Sequence, residues 1–149
     1  MGKIRSHDAI LRGEHVVLRP MTEDDWDLLL TWNSDPEVLY FAEGDDVTSY
    51  TLSEVQEIYR SVCQNAFCFI IEAAGHPIGE CWLQHMNLER ILKQYSGLDY
   101  RRIDLMIGEK DAWGHGYGTE TIRLLTEFAF IQEKADRVFG CGIADYNPA

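Results

Sequence analysis

Apolar positions along the chain change period several times, and each change predicts an element. His15-Val16-Val17-Leu18-Arg19-Pro20 reads as a strand that stops at its proline. Thr22-Glu23-Asp24-Asp25 then has the form of a helix cap, with an acidic residue three positions after the threonine. A first helix over about 23–33 follows, with Trp26, Leu29, Leu30 and Trp32 at helical spacing and Ser34-Asp35-Pro36 as its stop. The acidic, aromatic stretch Tyr40-Phe41-Ala42-Glu43-Gly44-Asp45-Asp46 has no clear period and reads as a loop. Thr51-Leu52-Ser53-Glu54 is a full capping box, and Leu52, Val55, Ile58, Tyr59 and Val62 stripe one face of the helix it opens.

From Phe67 to Glu72 the chain is β-branched and aromatic, Ala74-Gly75-His76-Pro77 is turn chemistry, and Ile78 to Gln84 is a second run, which together predict a hairpin. The pattern weakens between Met86 and Tyr100 into a loop with a short helical piece. Over 101–107 it alternates again, placing Ile103, Leu105 and Ile107 on one face of a strand and Arg102, Asp104 and Met106 on the other. Three glycines, Gly114, Gly116 and Gly118, precede a helix over 119–134 striped by Ile122, Leu125, Phe128, Ala129 and Gln132, and Arg137 to Ile143 forms a last strand. The order predicts a single α/β (α+β) domain over 1–149, with antiparallel strand pairs ahead of a strand, glycine loop, helix and strand unit.

At 149 residues, with 46% apolar and 26% charged positions and with 4 Trp, 7 Tyr and 6 Phe, the chain has the composition of one folded domain. The 13 Lys and Arg against 25 Asp and Glu leave a net charge of −12, which repels phosphate backbones and anionic headgroups and attracts cations. Nucleic-acid and membrane partners are therefore not expected. An acidic surface serves solubility as readily as it serves a polycationic ligand. Cys63, Cys68, Cys81 and Cys141 form no CxxC pair and have no matching histidine motif, so buried thiols are expected and no metal site. No apolar run approaches the roughly 20 residues of a membrane span, the start lacks the apolar core of a signal peptide, and cytoplasmic residence is the default expectation. Met1-Gly2-Lys3-Ile4-Arg5-Ser6 fits the loose myristoylation pattern, but one acyl chain on so acidic a protein anchors poorly.

The chemistry is concentrated in Trp113-Gly114-His115-Gly116-Tyr117-Gly118-Thr119. Alternate glycines between a strand and a helix let backbone amides turn inward with no Cβ in the way, and the unpaired amides of the first helical turn favour an anion. Such a cradle holds a pyrophosphate without basic side chains, which suits an acidic protein. The other reading is a tight helix-entry turn with no ligand. A Walker loop ends in Gly-Lys-Ser/Thr where this chain has Gly118-Thr119-Glu120, and a dinucleotide fingerprint follows directly on a first strand, so neither fits.

These residues resemble the acetyl-CoA-dependent GNAT acetyltransferases, whose signature is Gln or Arg, two residues, Gly, one residue, then Gly or Ala. Trp113 stands here at the first position. The opening Val17-Leu18-Arg19-Pro20-Met21-Thr22-Glu23-Asp24-Asp25 and the closing Asp145-Tyr146-Asn147-Pro148-Ala149 widen the resemblance to most of the chain. Within the family the chain is most similar to the aminoglycoside 6'-N-acetyltransferases. That similarity rests on Leu30-Thr31-Trp32, the acidic loop with Thr51 to Tyr59, Pro77-Ile78-Gly79, and Ile103-Asp104.

The resemblance implies a mixed, mostly antiparallel sheet flanked by helices, and acetyl-CoA as acyl donor. Leu105, Ile107, Trp113 to Thr119 and Asn147 are implied to hold that donor. The family continues past the Asn147 region with a helix and two strands and often supplies a tyrosine as thiolate acid. Their absence here is expected to reflect a shortened chain or an edge covered by a partner, which would favour a homo-oligomer. Asp104, on the strand ahead of the cradle, can orient an ammonium and accept its proton, the role the subgroup gives a carboxylate there. The alternative is an edge carboxylate paired with Arg101 or Arg102. Asp145 is implied to face substrate, with a turn cap as its rival. Trp32 is a candidate wall of the acceptor pocket or a core residue. Glu43, Asp45 and Asp46 form either its acidic lip or a solvated loop. His115 is expected to be exposed and is given no chemistry. The expected function is acetyl transfer to a primary amine of an aminoglycoside-like polycation. The rivals are an acetyltransferase of protein amino termini, such as ribosomal proteins, and a CoA-binding module without catalysis.

Overall fold

The computed structural model describes residues 4, 7–38, 49–86, 93 and 97–140. Its strands are β1 (Leu11–Arg12), β2 (Val16–Pro20), β3 (Ala66–Ala73), β4 (His76–His85), β5 (Tyr100–Ile107) and β6 (Arg137–Gly140). Its helices are α1 (Trp26–Trp32), α2 (Leu52–Val62) and α3 (Tyr117–Glu127). The strands form one sheet in chain order, antiparallel throughout except for the parallel β5–β6 pair. A mixed α/β architecture with a mostly antiparallel sheet is what the pattern and the resemblance imply. The parallel pair requires a crossover, which α3 supplies.

Strand alternation gives the sheet two buried faces. Val16, Leu18, Phe69, Ile71, Cys81, Leu83, Ile103 and Ile107 pack beneath α3, whose Leu124 and Leu125, with Phe128 and Ala129 of the turn after it, close that half of the core. On the opposite face Cys68, Ile70 and Met106 pack against Leu29 and Trp32 of α1 and against Val55, Tyr59 and Cys63 of and just after α2. Cys63, Cys68 and Cys81 are buried thiols outside any disulfide, and burial pushes the Cys68 and Cys81 thiols up from their usual range. Cys141 lies outside the described residues. Among the described residues no group of His, Cys, Asp and Glu could hold a metal ion, and no helix is long and apolar enough to cross a membrane.

The local signals act where they were expected. Thr22 and Asp25 cap each other reciprocally, but the first turn, Glu23–Asp25, is a 3-10 turn, and α1 proper begins at Trp26. Thr51 and Glu54 form the capping box of α2. In the hairpin Ala74 and Gly75 both take positive φ, 52° and 78°, the two-residue turn whose twist matches the strands it joins. The segment 39–48 falls outside the described residues, as do most of 87–96.

The helix after the glycines differs from the expected 119–134. It starts at Tyr117, because Gly116 adopts a left-handed conformation and serves as N-cap, and its α-helical part ends at Glu127. Phe128–Gln132 then forms a wide π turn, with the Glu133 amide reaching back to the Phe128 carbonyl at 3.0 Å. The extra residue in that turn carries Ile131 and Gln132 out to solvent. Thr121 and Leu124 take core positions, while Ile122 is half-buried against the same cluster.

Candidate active site

The site begins at the end of β5. After Ile107 the chain turns through Gly108, whose backbone lies against the Trp32 indole so closely that an added Cβ would stand 2.1 Å from it. The Trp32 Nε1 donates to Glu109 Oε2 at 2.6 Å, and Trp32 is 1% exposed. The structure therefore places Trp32 in the core, bracing this turn, and gives it no open wall toward an acceptor. A 3-10 turn, Lys110–Ala112, leads to Trp113, whose Nε1 donates to the Ile107 carbonyl at 2.8 Å. That bond ties the entrance of the glycine segment to the end of β5.

Gly114 and Gly116 have φ of 80° and 81°, a region that costs side-chain-bearing residues roughly 1–2 kcal/mol. Open space lies where a Cβ would stand at either position. The first bond of the α3 ladder runs from the Glu120 amide to the Gly116 carbonyl, 3.1 Å. Among the described residues the amides of Gly114 through Thr119 have no partner, so six consecutive donors stand at the positive end of α3. His115 is exposed, its Nε2 on the Asp111 carbonyl at 3.0 Å and its ring stacked on Tyr117. Gly118 is buried at the first turn of the helix, and Thr119 is exposed. Glu120 fixes the helix in place. Its Oε2 accepts from the His15 and Val16 amides, both at 2.8 Å, and its Oε1 lies 3.0 Å from His15 Nδ1. Burial raises the Glu120 carboxyl, but these bonds outweigh it and hold the group below its ordinary value.

Asp104 lies on β5, between β4 and β6, and so is not on an edge strand. It pairs in register with Trp82 and shares the α1/α2 face of the sheet with Arg102 and Met106. Arg102 donates to Asp104 Oδ1 at 3.0 Å and Gln84 to Oδ2 at 3.2 Å, and the carboxylate is 25% exposed. The pairing weighed from sequence thus involves Arg102. Arg101 points to the other face, where it binds Asp99 and Glu133. Leu105 is half-buried and Ile107 buried, both on the α3 face. The β6 ladder is described only opposite Tyr100–Ile103. Glu43, Asp45, Asp46, Asp145 and Asn147 lie outside the described residues.

Gln84 and Glu109 were not singled out from sequence. Gln84 reaches Asp104 only through the β4–β5 register, and Glu109 reaches Trp32 only through the packing of α1 on the turn after β5. Neither relationship leaves a periodic mark.

Unpaired amides at the N-terminus of a crossover helix that follows a parallel strand favour an anionic group. Residues 15–149 match the Acetyltransferase (GNAT) domain, and the chain belongs to that family of acetyl-CoA-dependent N-acetyltransferases. It is 24% identical over 133 residues to "Uncharacterized N-acetyltransferase p20" of Bacillus licheniformis, covering 84% of this chain and 68% of the relative. Among solved structures, an acetyltransferase of the GNAT family from Bacillus anthracis superposes with a TM-score of 0.66 at 15% identity, over 87% of this chain and 71% of that one. The aminoglycoside acetyltransferase AAC(6')-Ib, solved with ribostamycin and coenzyme A, superposes with a TM-score of 0.65 at 24% identity, over 84% and 72%.

Proposed function

We propose that the chain transfers acetyl from acetyl-CoA to a primary amine of an aminoglycoside-like polycation, with Asp104 as the base. The observation that carries the reading is the run of unpaired amides from Gly114 to Thr119, reached by one short turn from the strand that bears Asp104. Those donors fit a pyrophosphate in number, in charge and in the open space above Gly114 and Gly116. Asn147 and the backbone at Leu105 and Ile107 are the proposed contacts to the pantetheine arm, as the family resemblance implies. Acetyl-CoA supplies an activated thioester carbonyl.

The chain's own residues do the rest. A protonated amine cannot attack, so the carboxylate of Asp104 orients the ammonium and takes a proton from it, directly or through water. With acetyl-CoA bound, the amine nitrogen would form the new C–N bond as the thioester C–S bond breaks, and the second proton shed by that nitrogen would pass through solvent to the departing CoA thiolate. Gln84 and Arg102 hold the two Asp104 oxygens and so fix the direction in which the carboxylate presents itself. The net charge of −12 draws a polycation toward the protein. Asp145 and the acidic run Glu43, Asp45 and Asp46 are proposed to contact the remaining ammonium groups, with Trp32 bracing the turn after β5.

The test is thiol release from acetyl-CoA across a panel of amines: kanamycin-type sugars, simple monoamines and peptides with the amino termini of ribosomal proteins. Turnover with the sugars, falling by about a hundredfold or more in Asp104→Asn, is the expected result. Turnover with the peptides alone would move the acceptor to protein amino termini. Binding of CoA with no rate dependence on Asp104 would leave a CoA-binding module.

A further inference from the structure

On the face of the sheet that carries Asp104, the nearest charged group is a cation. Arg102 stands two residues away on β5, pairs in register with Gln84 of β4, and sets its guanidinium 3.0 Å from Asp104 Oδ1. Its side chain is 17% exposed and that of Asp104 25%, so the pair is accessible from outside and only partly screened by water. A guanidinium keeps its charge at every physiological pH, so this cation is always present beside the carboxylate. We infer that Arg102 sets acceptor specificity, competing with incoming ammonium groups for Asp104 and weakening the hold on acceptors with several ammonium groups more than on those with one. The inference rests on that part of the proposed function in which Asp104 is the carboxylate that meets the acceptor.

The charge balance explains the direction. An acceptor's first ammonium must share or take the Oδ1 position that Arg102 occupies. Each further ammonium on the same small molecule adds repulsion from the guanidinium, and like charges a few ångströms apart at a partly exposed site interact strongly enough to change an affinity by an order of magnitude. At 17% and 25% exposure the pair also contributes to folding, so stability is read beside affinity in each variant. The acidic surface and Arg102 therefore act on different scales. The surface gathers cations, and Arg102 grades them at the carboxylate.

The experiment is calorimetric titration of kanamycin, with several ammonium groups, and glucosamine, with one, into the wild-type chain and into Arg102→Gln, Arg102→Met and Arg102→Lys. Thiol release is measured on the same preparations. The Met variant keeps the apolar stem if the Gln variant does not fold, and an unchanged KM for acetyl-CoA reports an intact cradle. The expected result is kanamycin binding tightened about tenfold in the two neutral variants, glucosamine binding tightened less, and Arg102→Lys close to wild type. Kanamycin affinity that is unchanged or weaker in both neutral variants, or equal gains for the two ligands, overturns the inference whatever the turnover. Tighter kanamycin binding with no thiol release from any preparation upholds the inference and defeats the acetyl-transfer reading instead.

Discussion

The Trp113 indole N–H donates to the Ile107 carbonyl across 2.8 Å, so the residue that opens the glycine segment is bonded to the end of the strand that carries Asp104. Trp113 stands where the family signature has Gln or Arg. Here the side chain works as a brace, joining the two halves of the site. Trp113→Phe keeps the ring packing and loses the donor, leaving the carbonyl of a buried residue without that partner. The expected cost is about 1 kcal/mol of stability, read as a lower urea midpoint, together with a several-fold rise in the KM for acetyl-CoA at nearly constant amine KM. An unchanged acetyl-CoA KM would mean that the brace has no influence on the cradle.

Gly116 caps α3 at φ 81° with open space around it, so Gly116→Ala meets no clash but does meet conformational strain. The substitution should cost roughly 1–2 kcal/mol and weaken CoA binding in calorimetry, as strain at the N-cap disturbs the first-turn amides. Gly108→Ala fails for the opposite reason. Its Cβ would fall within 2.1 Å of the Trp32 ring, which is fixed in the core, and the expected loss is about 1–3 kcal/mol or more by thermal melting.

Glu120 satisfies the His15 and Val16 amides with one oxygen, tying the start of α3 to the start of β2. Glu120→Ala removes both bonds and is expected to destabilise the chain by about 2 kcal/mol, with hydrogen exchange accelerating first at the amides of 15 and 16. Exchange unchanged at those amides would show that they are held by other means.

Acid sensitivity has an identifiable source at Glu23. The Arg60 guanidinium, 2.6 Å away, is the main influence that holds its carboxyl down at about 2, with further bonds from the Ile4 amide and the Trp26 indole. A carboxyl whose folded pKa lies below its ordinary 4.5 contributes stability above that value. The contribution is lost as pH falls from about 4.5 toward about 2. With the Glu23 side chain 31% exposed, solvent screening makes the effect modest. Glu23→Gln is expected to be less stable than the parent at pH 7 and to show a shallower loss of stability across that acid window, measured by urea midpoints at a series of pH values.

Local chemistry was legible along the chain wherever one residue acts on its near neighbours. The capping boxes at Thr22 and Thr51, the Ala74-Gly75 turn, the alternation of 101–107 and the glycine segment all act over a few residues, so each leaves a pattern in the string. Tertiary packing decided the rest. Whether Trp32 lined a pocket or filled the core depended on Gly108 and Glu109, which approach it from across the fold. Alternation already set Arg102 on the Asp104 face, but that Gln84 takes the second carboxylate oxygen depended on the β4–β5 register. The end of α3 turned on one wide turn that rotates Ile131 and Gln132 away from the sheet. Hydrophobic periodicity records which side of an element is apolar. It carries no information about which distant element will meet that side, because the choice is made by packing between segments far apart in the chain.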